Sequence, residues 1–237
     1  MMKTMLKRIF VLSLLGVLLV LSLTSCVLDD VFTNKTVSLI DKITRGDSYT
    51  MEYKTVNDVY YKLQISGNQM YCAEQIDSNT LNEIYFYCNE KSGEYFYVTE
   101  STIGEANYID KKSITKEEYT ARFAQVYTQY SNLETLFHYR NILEMARCEA
   151  EGSKYLYSKE RGEFPYYQRT EYSIEVVGRD LILKMEIRDE IWGTEDAGIS
   201  NENEEKDIEV VKSTVETTKY TFIGKTKIVI PQDVLDR

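Results

Sequence analysis

Two long blocks of this chain alternate large side chains with polar ones, and no other feature restricts its fold as much. Tyr49 to Lys54 opens the pattern. Val59, Tyr61, Leu63 and Ile65 continue it, with Tyr60, Lys62 and Gln64 opposite. A period of two marks antiparallel strands with one face buried and the other wet. Gln69 to Ile76, Glu83 to Asn89 and Glu94 to Thr99 read as three more strands. Asn57-Asp58, Gly67-Asn68, Ser78-Asn79-Thr80 and Lys91-Ser92-Gly93 supply the turns. Five strands at about ten-residue spacing make a meander. The 20 tyrosines favour strands, and with only two prolines the ladders can run long.

The second block repeats the pattern. Lys154 to Lys159, Tyr166 to Val177 and Leu181 to Ile187 are strands, the last two joined by a turn at Gly178-Arg179-Asp180. Ile208 to Ile223 and Lys225 to Ile230 complete the block, and Pro231 ends the ladder. Residues 195–207 are acidic with almost no apolar side chain and read as a solvated loop. They lack the regular ligand spacing and central glycine of a calcium loop.

Between the blocks the period changes. Thr115 and Glu118 have capping-box spacing, and Tyr119, Phe123, Val126 and Tyr130 form a helical stripe behind them. Ser131 and Glu134 repeat the box, followed by Leu136, Phe137, Leu143 and Met145. The spacing predicts two helices, about 116–130 and 132–147, bent at Ser131; it also allows one long helix. A first helix is expected from Val37, Ile40 and Ile43, with Gly46 at its C-cap. No βαβ alternation occurs, so the class is α+β.

The N-terminus has a different grammar. Lys3, Lys7 and Arg8 precede an apolar run from Ile9 to about Leu23, and Leu23-Thr24-Ser25-Cys26 follows. Basic start, apolar core and small residues before a cleavage point describe a secretory signal. The run of about 15 residues is short against the roughly 20 of a membrane span. The tetrapeptide resembles a bacterial lipobox, which implies cleavage before Cys26 and diacylation of its thiol. Residues 1–25 would then be the signal peptide, 26–30 a lipidated tether, and 31–237 one domain with a helical insertion at about 115–147. The expected site is the extracytoplasmic face of the cell membrane, with two acyl chains on Cys26 enough for stable anchoring.

Charge narrows the partners. Loss of residues 1–25 removes three bases and no acid, taking the net charge from −10 to −13. Nucleic acid needs a basic footprint, so it is excluded as a partner. Charge-driven binding to anionic headgroups is disfavoured too.

Lipobox, first helix, meander, helical insertion and a closing Ile228-Val229-Ile230-Pro231 together resemble the superfamily of outer-membrane lipoprotein carriers and actinobacterial lipid-transfer lipoproteins. That resemblance implies a strongly curved antiparallel sheet, an open half-barrel with helices packed on its concave face. It also implies a cavity for acyl chains between sheet and helices. Tyr119, Phe123, Val126 and Tyr130 are the candidate lining, although the same side chains could simply fill a core. Cys26 is the one functional residue carried over.

The remaining cysteines pose a register question. Pairing Asp77 with Glu83 places Cys72 opposite Cys88, a candidate disulfide in an oxidising compartment. Reduced cysteines packed as small apolar residues are the alternative, and Cys148 is expected as a free, buried thiol. No nucleophile elbow, phosphate loop or His-Glu-x-x-His occurs, and the cysteine spacing is not that of a zinc site. The lone His138 reads as a structural or solvated helical residue, and Trp192 as strand-end packing or an exposed anchor. The expectation is a non-enzymatic lipoprotein without a cofactor, which binds a hydrophobic ligand or lipid. The alternative is an interaction or structural lipoprotein with a filled core, whose protein partner is unknown. Cys26→Ser should abolish incorporation of a fatty-acid analogue in metabolic labelling; undiminished labelling would refute the lipobox.

Overall fold

In the computed structural model the described residues are 34–55, 57–89, 91–145, 149–151, 154–163, 165–192 and 208–232. The signal and tether with Cys26, Cys148, the acidic segment 195–207 and the Trp192 side chain lie outside them. The chain separates into two units, Met1–Ser38 and Leu39–Arg237. The second carries all the strands.

The class is α+β, built on one antiparallel sheet. The first block supplies β1 (Tyr49–Lys54), β2 (Tyr60–Ser66), β3 (Gln69–Asp77), β4 (Thr80–Asn89), β5 (Glu94–Ile103) and β6 (Ala106–Ser113). The second supplies β7 (Glu149–Glu151), β8 (Lys154–Glu163), β9 (Tyr166–Val177), β10 (Asp180–Trp192) and β11 (Ile208–Thr221). The strand order is β6-β5-β4-β3-β2-β1-β11-β10-β9-β8-β7. Every neighbouring pair but one is therefore a hairpin. The exception joins the two meanders, with Thr50 opposite Thr221 and Lys54 opposite Thr217.

Between the meanders come α2 (Lys116–Tyr130) and α3 (Leu133–Met145), after the first helix α1 (34–44). Gly46, at φ 79°, ends α1 in the left-handed conformation a glycine adopts without penalty, and its N–H bonds the Ile43 carbonyl. The Thr115 hydroxyl accepts from the Glu118 N–H and starts α2 as the capping spacing predicts. The two-helix reading holds, but the second capping box does not form. Ser131 Oγ is buried and makes no hydrogen bond among the described residues, because Ser131 ends α2 rather than starting α3. Asn132, at φ 49°, makes the break.

Side-chain parity divides the sheet into two faces. Tyr49, Met51, Leu63, Ile65, Met70, Cys72, Phe86, Leu181, Leu183, Ile174, Val176 and Tyr220 share one face and are buried. The helices bring their rings to this face: Tyr119 and Phe123 meet Phe86, Tyr130 meets Tyr61, and Tyr139 meets Tyr172.

Two expectations are corrected at the margins. β6 was not legible in the sequence, because an edge strand that is mostly exposed needs no alternation; Ile109 packs on the cluster around Tyr85 and Val98. Residues 225–230 are not a strand. Phe222 at φ 53° and Gly224 at φ 76° turn the chain off the ladder, and the place beside β1 is already taken by β11. The tail instead crosses the face opposite the helices. Thr226 Oγ1 lies 3.2 Å from Thr50 Oγ1, and Ile230 packs on a cluster around Tyr85 and Val98.

The same outward face carries a ladder of charges across β9 and β10. Arg188 pairs with Glu171 at 3.1 Å and Glu186 at 2.7 Å, and Lys184 reaches Glu186 at 3.0 Å. Hydrogen bonds from Arg188 and then Lys184 hold the Glu186 carboxyl at about 2, below its ordinary 4.5. A carboxyl depressed in the folded state stabilises fully above its unfolded pKa and loses that contribution as pH falls through the folded one. Glu186→Gln should therefore flatten the loss of stability between about pH 4.5 and pH 2, read by chemical denaturation across that range. An unchanged acid limb would show that the pairing contributes nothing.

Candidate functional site

The stripe expected to line a cavity is packed against the sheet. Tyr119 and Val126 are buried, and Phe123 and Tyr130 are half-buried. Phe86 receives Tyr119 and Phe123 edge-on, with centroids 5.4 and 5.5 Å away, and Tyr95 meets Tyr119 at 5.2 Å. The Tyr119 hydroxyl donates to the Asn68 carbonyl, and burial raises its pKa well above the ordinary value. Edge-to-face rings of this kind attract beyond their area and leave little room between them.

The cysteine register is corrected. Asp77 pairs with Thr80 across a two-residue turn, with a bulge between Gln75 and Asp77. Cys72 then lies opposite Ile84, and Cys88 lies opposite Tyr95 on the next strand. Both are unbridged thiols on the helix-facing side. Cys88 Sγ is 3.8 Å from the Asn68 carbonyl, and burial pushes the Cys72 thiol well above its ordinary pKa. The tighter turn shifts the partner by four positions, enough to separate the cysteines without moving either to the other face.

An open space lies elsewhere, beneath α3. It is a half-open cavity of about 330 Å³, at the lower end of the range for ligand sites. The sheet makes its floor. Tyr172, Met185 and Glu216 form one cross-strand row over β9, β10 and β11, and Leu183 and Thr218 belong to the next row. The helix makes its roof and rim. Glu134, Thr135, His138 and Tyr139 fall at i, i+1, i+4 and i+5, one face of α3. Asn132, just before the helix, ties this end down through its side-chain N–H to Thr218 Oγ1 at 3.2 Å.

Floor and rim differ in chemistry. Tyr139, Tyr172, Leu183 and Thr218 are buried, while Glu134 and His138 are exposed. His138 meets the Tyr172 ring at 5.2 Å and Tyr139 meets it at 5.7 Å, both edge-on. The Tyr53 hydroxyl bonds the Glu216 carboxylate; burial and then that carboxylate raise the Tyr53 pKa. Burial and then Tyr172 raise the Tyr139 pKa. Two carboxylates and an imidazole are metal-ligand types, yet no group of three such side chains among the described residues could hold a metal ion.

Of these residues the sequence singled out only His138, as structural or solvated. The Glu134–His138 spacing on one helix face was a visible signal. Their meeting with Glu216 was not, since about 80 residues separate them and only the sheet order joins them. A comparison with protein-family models, curated proteins and solved structures finds no match to this chain.

Phe86 is fully buried beneath α2, so Phe86→Ala should cost about 3–5 kcal/mol in denaturant unfolding. Phe123→Ala, half-buried, should cost about 1–2 kcal/mol. Equal losses would contradict this order of packing.

Proposed function

We propose that this is a membrane-anchored extracytoplasmic lipoprotein, held by a diacylglyceryl group on Cys26, which binds a small hydrophobic or amphipathic ligand and catalyses no reaction. The observation that carries the binding reading is the cavity beneath α3, whose floor combines Tyr172, Leu183 and Met185 with Thr218 and Glu216 and whose rim carries Glu134 and His138. Ligand pockets commonly combine such a floor with a few polar groups that fix orientation. The anchor rests on the lipobox residues Leu23 to Cys26. A strongly curved half-barrel with its helices in the concave face is part of the same proposal. It is supported by Tyr119, Phe123 and Tyr130 of α2 and Tyr139 of α3, whose rings meet one face of an 11-stranded sheet.

A second reading has its own support. The ring-on-ring packing of Tyr119, Phe123 and Phe86 occupies the space where the resemblance would put an acyl chain. That favours an interaction lipoprotein with a filled core. Native mass spectrometry of the protein released from detergent separates the two. A co-purified small molecule, lost on mutation of the α3 cavity, is the expected result; a bare mass, with no small molecule retained from a membrane extract, would favour the filled core.

A further inference from the structure

We propose that the cavity beneath α3 takes an organic cation: an amine or quaternary ammonium group on a small apolar body. The inference rests on the ligand-binding reading above and names the class of ligand. Three observations lead to it. The first is charge. Glu134 and Glu216 both border the cavity, and no ion pair to either is present among the described residues. Glu216 is half-buried and is hydrogen-bonded by the neutral Tyr53 hydroxyl. A carboxylate beside an apolar floor is stabilised by a positive partner and penalises a negative one. A fatty acid, which would bring its own carboxylate to this rim, is disfavoured on the same ground.

The second observation is the rings. Tyr139, Tyr172 and His138 crowd the same cavity. Tyrosine faces attract cations through their quadrupole, and rings next to carboxylates are how alkylammonium groups are recognised. One such contact is made within the protein: Lys159 Nζ lies 5.3 Å from the Tyr172 ring centroid, so an incoming cation shares that ring with a resident ammonium. The third is geometry. The donor groups are too dispersed for a metal ion. A bulky, weakly hydrated organic cation needs no such convergence, and the space of about 330 Å³ accommodates one with a short apolar body. Met185, half-buried on the floor, provides surface for that body.

The cation could be free or could belong to a lipid headgroup, and the test separates these sources. The full chain in a nonionic detergent is titrated by calorimetry with choline, with its neutral isostere 3,3-dimethylbutan-1-ol, and with phosphocholine. Choline is expected to bind about tenfold or more tightly than the isostere. Glu216→Gln and Glu134→Gln should each weaken choline and leave the isostere unchanged. Phosphocholine binding more tightly than choline would support the cation and assign a lipid headgroup as its source; weaker binding would support a free cation. Equal binding of choline and the isostere, insensitive to both substitutions, would overturn the cation while ligand binding stands. No binding of any probe would also overturn it, and the ligand-binding reading falls as well only if native mass spectrometry finds a bare protein.

Discussion

The pairing of β1 with β11 is the interaction on which this architecture depends. All other neighbours in the sheet are strands consecutive in the chain. This one joins strands about 160 residues apart, with Met51 opposite Tyr220 and Tyr53 opposite Thr218. Tyr49, Met51 and Tyr220 are fully buried along it, and Tyr49 meets Tyr220 edge-on at 5.8 Å. The entropy of closing so long a loop grows only slowly with its length. Burial of three large side chains on one seam, at roughly 1.5–3 kcal/mol each, is enough to offset it. The seam also bears a cost, for the Tyr220 hydroxyl is buried there without a hydrogen-bond partner among the described residues.

Once that seam is made, the helices have little choice of place. β6 and β7 are the two edges of the sheet, and α2 and α3 are the only described helices in the connection between them. The parity of the strands puts the apolar side chains on one face, and the apolar stripes of both helices seek it. What lies beneath each helix then decides whether space is left. Under α2 the sheet presents Phe86 and Tyr95, whose rings meet Tyr119 of the helix, and Tyr97, whose ring lies under Arg122. Under α3 it presents Met185, Glu216 and Thr218, which are slimmer or polar, and a cavity remains. The open space lies over the smaller and polar side chains of β10 and β11, beside the Tyr172 ring of β9.

Hydrogen bonds and charges refine this arrangement without setting it. Arg140 links α3 to Asp41 of α1 at 2.7 Å and to Glu144 at 2.9 Å, both on exposed or half-exposed side chains. Such pairs contribute little to stability in water but restrict the orientation of the helix that roofs the cavity. The ladder around Glu186 and Arg188 does the same for the outward face of the second meander. An acidic chain gains from it twice, since each base also offsets part of the net negative charge.

Local pattern alone determined most of the elements. Alternation at Tyr49 to Lys54 and Tyr166 to Val177, the Thr115 cap and the Gly46 stop each act within a few residues, so the sequence carries them whole. It likewise determined the α+β class, because the change of period at Thr115 needs no partner to be seen. Tertiary structure decided what depends on a neighbour. β6 exists because β5 offers it an edge, and residues 225–230 leave the sheet because β11 already occupies the place beside β1. Cys72 and Cys88 are separated by a turn two residues long, where a looser turn would have joined them. The cavity was least legible of all. Glu134 and His138 signal each other along one helix turn, but Glu216, Met185 and Tyr172 reach them only across strands whose order no local pattern encodes. Side chains within one helical turn interact whatever the rest of the chain does, whereas a site assembled from three strands and a helix appears only when the long-range pairing has formed.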